Sequence, residues 1–393
     1  MKRIAIISFF HYESSLCLAR SLSELGVSVD YYAIIDMHHD RGAVPGIHYQ
    51  RAKKLPGLIK LNFENAPEIC SFFKGLPVSL FLFRLVSFSD KLLFLNKIVF
   101  KYVFNIIKAK RYDAIDIVGQ SPWVEIIHKG LKDENITHTI HEIGSHFAGF
   151  LSTPFLKTVI EDKSKVILHS KSTLARFRAL DKNQNCKSFY IPFGKFETLM
   201  LYRKQTWLNI KFNNSLRIFL FYGFIKPYKG LGLLKQVCEI LDEKKICFNL
   251  IVAGAGNDPS LSFFVSRNNC IVINRFLTDD EMMYLNEISD VVLLPYKTAS
   301  QSGIIPTSFM FGNPIIATRV GALVESIKDG KNGILVAPED AVAFANAMQS
   351  LIFDDNLMST LKRGAEMYGN GDEYDWHIIA QQTLPILLET NNS

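Results

Sequence analysis

Residues 2–34 read KRIAIISFFHYESSLCLARSLSELGVSVDYYAI, and this stretch carries the pattern of one β-α-β unit. An apolar run over residues 2–9 is typical of a buried strand, and residues 13–25 place leucines near helical spacing. Gly26 marks the end of that helix, and residues 27–34 predict the next strand. Because two strands joined through a helix run parallel, the chain is expected to begin with a parallel sheet.

Four further apolar runs extend this first sheet. They lie at residues 113–118, 137–143, 166–169 and 189–192, and stretches of helical length separate them. Regular alternation of strands and helices predicts a parallel sheet that is covered on both faces. We therefore assign residues 1–195 to a first doubly wound α/β domain.

The same alternation begins again after a stretch without periodicity. Residues 196–215 predict a linker, and residues 216–372 predict a second doubly wound domain. Its strands are expected at residues 216–224, 248–254, 270–274, 291–296, 314–318 and 333–337. Residues 373–393 predict a helix that crosses back to the first domain. The predicted fold class is α/β, with two Rossmann-like domains that face each other across a ligand-binding cleft.

Composition excludes several broad classes of protein. Of the 393 residues, 48% are hydrophobic and 21% are charged, which excludes a disordered chain. The net charge of +6 is too balanced for a dedicated nucleic-acid binder, so no nucleic-acid partner is expected. Six scattered cysteines without a C-x-x-C pair indicate neither a zinc site nor a disulfide framework, and they fit a reducing cytoplasm.

A first candidate ligand-binding loop reads GFIKPYKG, at residues 223–230, between a predicted strand and a predicted helix. Gly223 opens the loop. Lys226, Lys229 and the N-terminus of the following helix are placed to meet an anion such as a phosphate. An ordinary strand-to-helix turn with two solvated lysines explains the pattern equally well.

A second candidate loop reads PYKTASQSG, at residues 295–303. The backbone N–H groups of Gln301, Ser302 and Gly303 are expected to hold a diphosphate, and the hydroxyls of Ser300 and Ser302 to add hydrogen bonds. The alternative is a common serine-capped helix. Each loop alone is weak, whereas the pair is a much stronger indication.

Two more segments complete a resemblance to a known family. They read GNPIIATRVGAL at residues 312–323, followed by Glu325, and DGKNGILVAP at residues 329–338. In this order the four segments resemble family 4 glycosyltransferases over most of residues 216–350. The Ser-Gln-Ser-Gly donor loop is similar to that of one branch of this family. The resemblance is looser in the first domain.

The resemblance implies a fold, a reaction and partners. The fold would be GT-B, with a nucleotide-sugar donor in the second domain and the acceptor in the first. Transfer to a glycan or lipid-linked acceptor would retain the anomeric configuration, without a metal or another cofactor, in surface polysaccharide or glycoconjugate biosynthesis. Lys229 would stabilise the leaving diphosphate. Two alternatives stay open: a non-catalytic GT-B protein that binds sugar nucleotides or glycans, and a GT-B sugar-nucleotide epimerase.

The sequence departs from the family pattern at three positions. Phe224 stands where the family usually has an arginine after the first glycine of the phosphate loop. The paired glutamates of the family would fall on Ala299 and Thr307. By this resemblance, Thr307 occupies the donor-site position for the ribose. Loss of activity through the two missing glutamates is an alternative to test.

The acceptor side is expected to use histidines at strand ends. His141 and Glu142 follow a predicted strand, and the segment up to His146 resembles the acceptor-side segment of the family. His141 would bind a sugar hydroxyl, and Glu142 would orient that hydroxyl or accept its proton. His11, after the first strand, is a weaker candidate for acceptor binding. His169 fits no ligand spacing and is interpreted as structural or exposed.

A basic segment at residues 84–111 carries seven Lys and Arg residues against Asp90 alone. Aromatic and aliphatic residues are interleaved with the positive charges. Such a helix can dock on an anionic membrane surface, which would place a cytoplasmic protein on the inner face of the cell membrane. A core-packed helix with a solvated basic face fits the pattern equally well.

Overall fold

The computed structural model of the protein describes residues 1–9, 11–36, 56–64, 66–86, 93–119, 122–143, 153–198, 208–212, 215–299 and 302–390. Contacts between residues divide the chain into two compact units. The first unit contains Met1–Leu201 together with Asp375–Ser393, and the second contains Tyr202–Tyr374. The division at Leu201 lies inside the predicted linker, residues 196–215.

The first unit is built on an eight-stranded sheet, in the order β3-β4-β2-β1-β5-β6-β7-β8. Its elements are β1 (Arg3–Ser8), α1 (Tyr12–Glu24), β2 (Ser28–Asp36), β3 (Gly57–Lys60), α2 (Pro67–Phe72), β4 (Val78–Leu85), α3 (Leu93–Ala109), β5 (Ala114–Val118), α4 (Pro122–Leu131), β6 (Ile136–Ile140), α5 (Thr153–Glu161), β7 (Lys165–Leu168), α6 (Lys171–Leu180) and β8 (Ser188–Tyr190). All pairs are parallel except β3 with β4.

The opening stretch folds as its pattern predicts. Residues Ile4 to Ser8 of β1 are buried, and β1 pairs in parallel with both β2 and β5. Gly26 adopts a φ of 84°, which glycine reaches without strain, and the chain turns there from α1 into β2. The parallel strand ends therefore collect at one edge of the sheet, where the first unit presents its loops.

The second unit is built on a six-stranded, wholly parallel sheet, in the order β11-β10-β9-β12-β13-β14. Its elements are β9 (Ile218–Tyr222), α7 (Leu231–Glu243), β10 (Asn249–Ala253), α8 (Leu261–Val265), β11 (Cys270–Ile273), α9 (Asp279–Ile288), β12 (Val291–Leu294), α10 (Ile304–Met310), β13 (Ile315–Thr318), α11 (Leu323–Ser326), β14 (Gly333–Val336), α12 (Ala341–Phe353) and α13 (Asp355–Gly369). Each strand lies within a predicted strand, and apolar cores cover both faces of the sheet.

The last helix, α14 (Trp376–Leu388), packs on the first unit, as the sequence predicts. Its residues Ile379, Ala380 and Leu387 are buried in the core that also holds α1. Lys165 of β7 is 1% exposed and donates hydrogen bonds to the carbonyl oxygens of Ile386 at 2.9 Å and Leu387 at 3.0 Å. A buried ammonium group therefore caps the C-terminus of α14, where carbonyl groups lack partners within the helix.

The basic segment differs from its prediction. Helix α3 occupies only Leu93–Ala109, and Arg84 belongs to β4, where it is 1% exposed. Arg84 therefore contributes nothing to a basic helix face. Lys110 is engaged as well, because its ammonium group donates to the Asp30 carboxylate at 2.8 Å. Residues 87–92 of the segment lie outside the described residues. Among the helices that the structure describes, none is long and apolar enough to span a membrane.

Candidate functional site

Glycines let three loops of the second unit meet at the carboxyl ends of its strands. A Cβ atom on Gly230 would lie 1.7 Å from the carbonyl oxygen of Pro295. A Cβ atom on Gly321 would lie 1.5 Å from the carbonyl oxygen of Ala299. The φ angles of the two glycines are 78° and 49°. Only glycine fits such contacts, so the loops after β9, β12 and β13 touch through their backbones.

The loop after β10 joins this arrangement in the same way. A Cβ atom on Gly254 would lie 1.8 Å from the carbonyl oxygen of Gly223, and one on Gly256 would lie 2.0 Å from that of Ile225. The N–H of Ile225 also donates to the carbonyl of Ala255 at 2.9 Å. Gly223, a predicted donor-site residue, adopts a φ of 104°. Four loops therefore form one backbone-packed cluster, which we call the glycine-packed loops.

Lys229 is joined to the loop after β12 through Tyr296. Its Nζ donates a hydrogen bond to the Tyr296 hydroxyl at 2.6 Å and lies 4.0 Å from the centroid of the ring. Tyr296 is 1% exposed, and burial raises its pKa while the neighbouring Ser302 opposes the rise. The hydroxyl is therefore protonated at neutral pH. Lys229 lies one residue before Gly230, the N-cap of α7, so its charge is fixed beside a helix N-terminus.

An aromatic side chain lies beside Lys226, the other predicted cation of this loop. Phe224, at the position expected for an arginine, is 53% exposed and meets Phe276 edge-to-face, with ring centroids 5.6 Å apart. The Nζ of Lys226 lies 5.9 Å from the centroid of Phe224. Phe224 therefore replaces a cation with an exposed aromatic face, and Lys226 supplies a positive charge beside it.

The predicted diphosphate loop is described in part. Ser300 and Gln301 lie outside the described residues. Ser302 and Gly303 are half-buried and stand directly before α10. Thr307 is 3% exposed, and its hydroxyl donates to the carbonyl of Gly303 at 2.9 Å. The Thr307 hydroxyl therefore donates its hydrogen bond to the backbone at the start of its own helix.

Three histidine rings form a column in the first unit. The rings of His11 and His141 stack with centroids 3.7 Å apart and an interplanar angle of 9°. The ring of His169 follows, 4.7 Å from His141 and tilted by 47°. The three residues follow β1, β6 and β7, whose parallel carboxyl ends share one edge of the sheet. The sequence-predicted residues His11 and His141 are thus brought together, and we call this group the histidine column.

His11 is held in an unusual backbone conformation. Its φ is 54° and its ψ 35°, which is the left-handed region and costs a non-glycine residue about 1 kcal/mol or more. Its carbonyl oxygen accepts hydrogen bonds from Ser15 N–H at 3.2 Å, Ser15 Oγ at 2.8 Å and Ser14 Oγ at 3.1 Å. These bonds hold the backbone in place, and strain of this kind clusters at functional sites.

Burial lowers the pKa of all three histidines, that of His11 to about 4, so the column is neutral at neutral pH. His141 is 5% exposed, and burial, followed by the charges of His11 and His169, lowers its pKa well below 6.5. Burial also lowers the pKa of His169 to about 4. The Nε2 atom of His141 is buried and has no hydrogen-bond partner among the residues that the structure describes. A neutral ring with an unused nitrogen can give or accept one hydrogen bond.

Sequence reasoning missed the place of His169 in this column. The position of His169 in the sequence could have predicted it, because His169 directly follows β7 as His141 directly follows β6. Glu142 is half-buried beside His141, and His146 lies outside the described residues. In the described part of the chain, no three His, Cys, Asp or Glu side chains gather in a way that could hold a metal ion.

Residues 217–354 match the model of a family described as Glycosyl transferases group 1. The match covers about a third of the chain, and we call the matched residues the group 1 domain. This group 1 domain contains the glycine-packed loops, together with Lys226, Lys229 and Tyr296. The family match therefore falls on the unit in which the sequence predicts the donor site.

Curated relatives resemble less than half of the chain. The D-inositol 3-phosphate glycosyltransferase of Corynebacterium efficiens is 22% identical over 187 residues, which cover 45% of this chain and 44% of that protein. A glycosyltransferase of Methanocaldococcus jannaschii is 26% identical over 178 residues, covering 43% and 44%. The chain thus matches less than half the length of these relatives, so the similarity describes a part of each protein rather than a whole protein.

Solved structures resemble the entire chain. Sucrose-phosphate synthase from Thermosynechococcus elongatus has a TM-score of 0.68 at 17% identity, covering 98% of each chain. Anabaena HepE in complex with UDP and glucose has a TM-score of 0.64 at 15% identity, covering 98% of this chain and 99% of that one. The chain has the GT-B fold. The fold class that the sequence predicts is thereby confirmed.

Proposed function

We propose that the protein is a retaining glycosyltransferase that moves a sugar from a nucleotide-sugar donor to a glycan or lipid-linked acceptor. The observation that carries this proposal is the Lys229–Tyr296 bond in the group 1 domain, where the glycine-packed loops meet. Two structural neighbours support a nucleotide-sugar donor, because HepE is described with UDP and glucose and an Escherichia coli protein with UDP-2-fluoro glucose.

The proposed chemistry is stabilisation of the leaving group. A nucleoside diphosphate departs with negative charge, and a preorganised cation lowers the barrier to that departure. Lys229 supplies the cation at a fixed position, since Tyr296 holds its ammonium group. Lys226 adds a second positive charge on the same loop, and the N–H groups of Ser302 and Gly303 are further candidate donors. We propose that these groups act without a divalent metal cofactor.

We assign the acceptor to the first unit. The histidine column contains the predicted residues His11 and His141, and Glu142 follows directly. Neutral imidazole groups suit the hydroxyl groups of a sugar, because each ring offers one donor and one acceptor. Glu142 would orient the attacking hydroxyl or accept its proton. The half-buried side chain of Glu142 fits that role.

A lipid-linked acceptor fits the exposed face of α3. Leu95, Ile98 and Tyr102 are 43%, 60% and 58% exposed, at spacings of three and four residues that place them on one stripe. Lys97, Lys101 and Lys108 are exposed on the same helix. An apolar stripe flanked by lysines suits the interface of an anionic membrane. We propose that this face holds the protein on the inner surface of the cell membrane, where surface glycans are assembled.

A second candidate function follows from the missing carboxylates. Ala299 and Thr307 occupy the positions of the paired glutamates, and the Thr307 hydroxyl is bonded within α10. A protein that binds sugar nucleotides or glycans without turnover would tolerate this loss. A sugar-nucleotide epimerase is a third candidate on the same fold.

Product analysis separates these functions. The purified protein is incubated with nucleotide sugars and glycan or lipid-linked acceptors, and the products are followed by NMR and by nucleoside diphosphate release. We expect diphosphate release together with a glycoside that keeps the anomeric configuration of the donor. An inverted product would refute retention, and an isomerised nucleotide sugar without diphosphate release would show an epimerase. Nucleotide binding without any turnover would favour the binding protein.

A further inference from the structure

Two exposed phenylalanines contact each other near the carboxyl ends of the strands of the second unit. Phe224, two residues after β9, is 53% exposed, and Phe276, three residues after β11, is 44% exposed. Their rings meet edge-to-face, with centroids 5.6 Å apart and an interplanar angle of 70°. Single exposed apolar side chains are common, but a contacting pair at the strand ends forms an open aromatic surface. We call this pair the aromatic platform.

The loop between the two rings has almost no side chains. Strands β9 and β11 are not neighbours, because β10 lies between them. Neighbouring strands are about 4.8 Å apart, so the two loops begin roughly 10 Å from each other. The loop after β10 reads Gly254-Ala255-Gly256 and carries nothing larger than a methyl group. The rings of Phe224 and Phe276 therefore meet over this loop, and its side chains are too small to cover them.

The backbone on both sides of Phe224 is held by hydrogen bonds. The N–H of Gly223 donates to the carbonyl of Ala253 at 3.0 Å, and the N–H of Ile225 donates to the carbonyl of Ala255 at 2.9 Å. Ile225 itself is 2% exposed. The Phe224 ring therefore projects from a fixed part of the glycine-packed loops.

The backbone that carries Phe276 is held by an ion pair. Arg275 donates to both carboxylate oxygens of Glu281, at 2.6 and 2.7 Å, and also to the carbonyl of Phe276 at 3.0 Å. Glu281 and Thr278 form a capping box at the start of α9. Because both rings of the platform stand on ordered backbone, little freedom is lost when a ligand binds to them.

Positive charges follow the platform along the loop after β9. The Nζ of Lys226 lies 5.9 Å from the centroid of Phe224, and Lys229 is five residues beyond Phe224. Five residues span at most about 18 Å when extended, and the 3₁₀ turn Pro227–Lys229 shortens that distance. A ligand with a planar ring at one end and phosphates at the other can therefore contact the platform and the two lysines together.

We infer that Phe224 and Phe276 bind the planar base of the nucleotide donor by stacking, and that stacking replaces charge attraction at position 224. This inference rests on the proposed glycosyltransferase function. The family resemblance places an arginine at this position, which would attract phosphate, whereas Phe224 offers an uncharged aromatic face. Since every base has such a face, the platform holds purines and pyrimidines alike. Donor binding in this chain therefore depends more on the base and less on ionic strength than it would with an arginine.

Three substitutions on the platform separate stacking from charge. Phe224→Leu and Phe276→Leu each remove one ring and keep an apolar side chain, whereas Phe224→Arg exchanges the ring for a cation. Phe353→Leu is the matched control, because Phe353 is a 69% exposed phenylalanine of the same unit, at the last residue of α12. Thermal unfolding of each variant checks the fold.

Isothermal titration calorimetry at low and at high salt measures binding of four kinds of probe. They are the diphosphates UDP, GDP and ADP, their sugar conjugates, the matching nucleosides without phosphate, and inorganic pyrophosphate, which has no base. We expect each leucine variant to weaken binding of diphosphates and nucleosides by about tenfold and to leave pyrophosphate binding unchanged. Phe224→Arg should lose nucleoside binding, tighten pyrophosphate binding at low salt and make diphosphate binding more sensitive to salt. Phe353→Leu should stay within about twofold of wild type.

The outcomes that would overturn the inference are distinct. Wild-type nucleoside affinity in both leucine variants would exclude stacking on the platform. An equal loss of pyrophosphate and diphosphate binding would show damage to the phosphate loop instead. A loss confined to the sugar conjugates would assign the rings to the sugar rather than to the base. A wild type that binds neither diphosphates nor pyrophosphate would refute the donor site of the proposed function, and the inference with it.

Discussion

Lys229 and Tyr296 are 67 residues apart in the sequence, yet the lysine ammonium donates to the tyrosine hydroxyl at 2.6 Å. The bond joins the loop after β9 to the loop after β12, two of the glycine-packed loops. Because Tyr296 is 1% exposed, the surrounding core packs its ring in place, and the hydrogen bond positions the charge of Lys229 in the group 1 domain. A fixed charge is what leaving-group stabilisation requires.

Replacing Lys229 with alanine should remove that charge without unfolding the protein. We expect Lys229→Ala to lower kcat for donor turnover by about one hundredfold, as loss of one preorganised group does. Diphosphate release gives kcat, and thermal unfolding checks the fold. Lys235→Ala, on a half-buried lysine of α7 that pairs with Glu239, is the control and should leave kcat unchanged. Wild-type turnover in Lys229→Ala would exclude this lysine from the site.

Replacing Tyr296 with phenylalanine should free the lysine while keeping its charge. The ring still fills its buried site, and only the hydroxyl that accepts from Lys229 is lost. We expect Tyr296→Phe to lower kcat by about tenfold, a smaller loss than in Lys229→Ala, because misplacement of a catalytic group costs less than its removal. Steady-state kinetics on both variants and on the double variant measure the coupling. Fully additive effects would show that the hydrogen bond plays no part in catalysis.

Alanine at Gly230 should damage the loops, whereas alanine two residues later should not. The added Cβ at Gly230 would lie 1.7 Å from the Pro295 carbonyl at a φ of 78°, so we expect the free energy of unfolding to fall by about 2 kcal/mol or more. Gly232 is exposed in the first turn of α7, and a Cβ there lies 3.6 Å from Ser260. Gly232→Ala should therefore raise stability by up to about 1 kcal/mol. Urea unfolding compares the two variants, and equal effects would contradict the backbone contact.

Asp116 makes the stability of the first unit depend on pH. The residue lies on β5 with 0% exposure, and its Oδ1 accepts a hydrogen bond from Thr139 at 2.8 Å. Its Oδ2 has no partner among the described residues. Burial raises the pKa from 3.8 to about 7, and Thr139 and the charge of Lys165 oppose the rise. Between about pH 4 and pH 7 the folded state therefore keeps a proton that the unfolded state releases.

Because the pKa of Asp116 is raised, its effect is to lower the free energy of unfolding as the pH rises. The contribution of Asp116 to stability is fully present at low pH and is lost as the pH rises through about 7. Asp116→Asn imitates the protonated carboxyl group, so we expect it to raise the free energy of unfolding by about 1 kcal/mol or more at pH 8, and by much less at pH 5. Urea unfolding at both pH values measures this. A stability gain of equal size at both values would refute the raised pKa.

Charge reversal on α3 should release the protein from anionic membranes. We expect the triple substitution of Lys97, Lys101 and Lys108 by Glu to abolish binding to phosphatidylserine vesicles, because each lysine near an anionic surface contributes about 1 kcal/mol. Ile98→Ser should weaken binding through loss of apolar insertion. Vesicle sedimentation measures both effects.

The control for this experiment reverses the same number of charges elsewhere on the first unit. Lys74, Lys132 and Lys182 are exposed and lie outside α3. Their substitution by Glu should reduce binding far less than substitution on α3. Equal losses in the two triple variants would show a general charge effect, and retained binding in the α3 variant would make its face an ordinary solvated surface.

Much of the fold follows from local patterns in the sequence. Strands β10, β12 and β13 of the second unit are fully buried runs between glycine or polar loops, so apolar content alone marks them. Strands β3 and β4 escaped prediction. β3 is an antiparallel edge strand with half-buried side chains, and β4 contains Arg84, a buried cation that interrupts the apolar run. Periodicity does not reveal such tertiary burial.

The sequence predicts where the candidate sites lie in the fold, but it does not predict which side chains contact each other there. A strand end followed by His141, or a glycine-bounded loop with Lys229, can be read from the sequence because parallel strand ends share an edge. The partners cannot be read in this way. Tyr296 and His169 lie on other loops, and only the folded sheet brings them to Lys229 and His141.

The most direct test of the account is a thermal-shift screen of the purified protein against UDP, GDP, ADP, CMP and their sugar conjugates, with Lys229→Ala in parallel. A ligand at one hundred times its dissociation constant stabilises a protein by about 2.7 kcal/mol, which such a screen detects. We expect one class of nucleoside diphosphate to raise the melting temperature of wild type, and Lys229→Ala to reduce the shift. The absence of any shift with all these nucleotides at millimolar concentration would contradict a donor site in the group 1 domain.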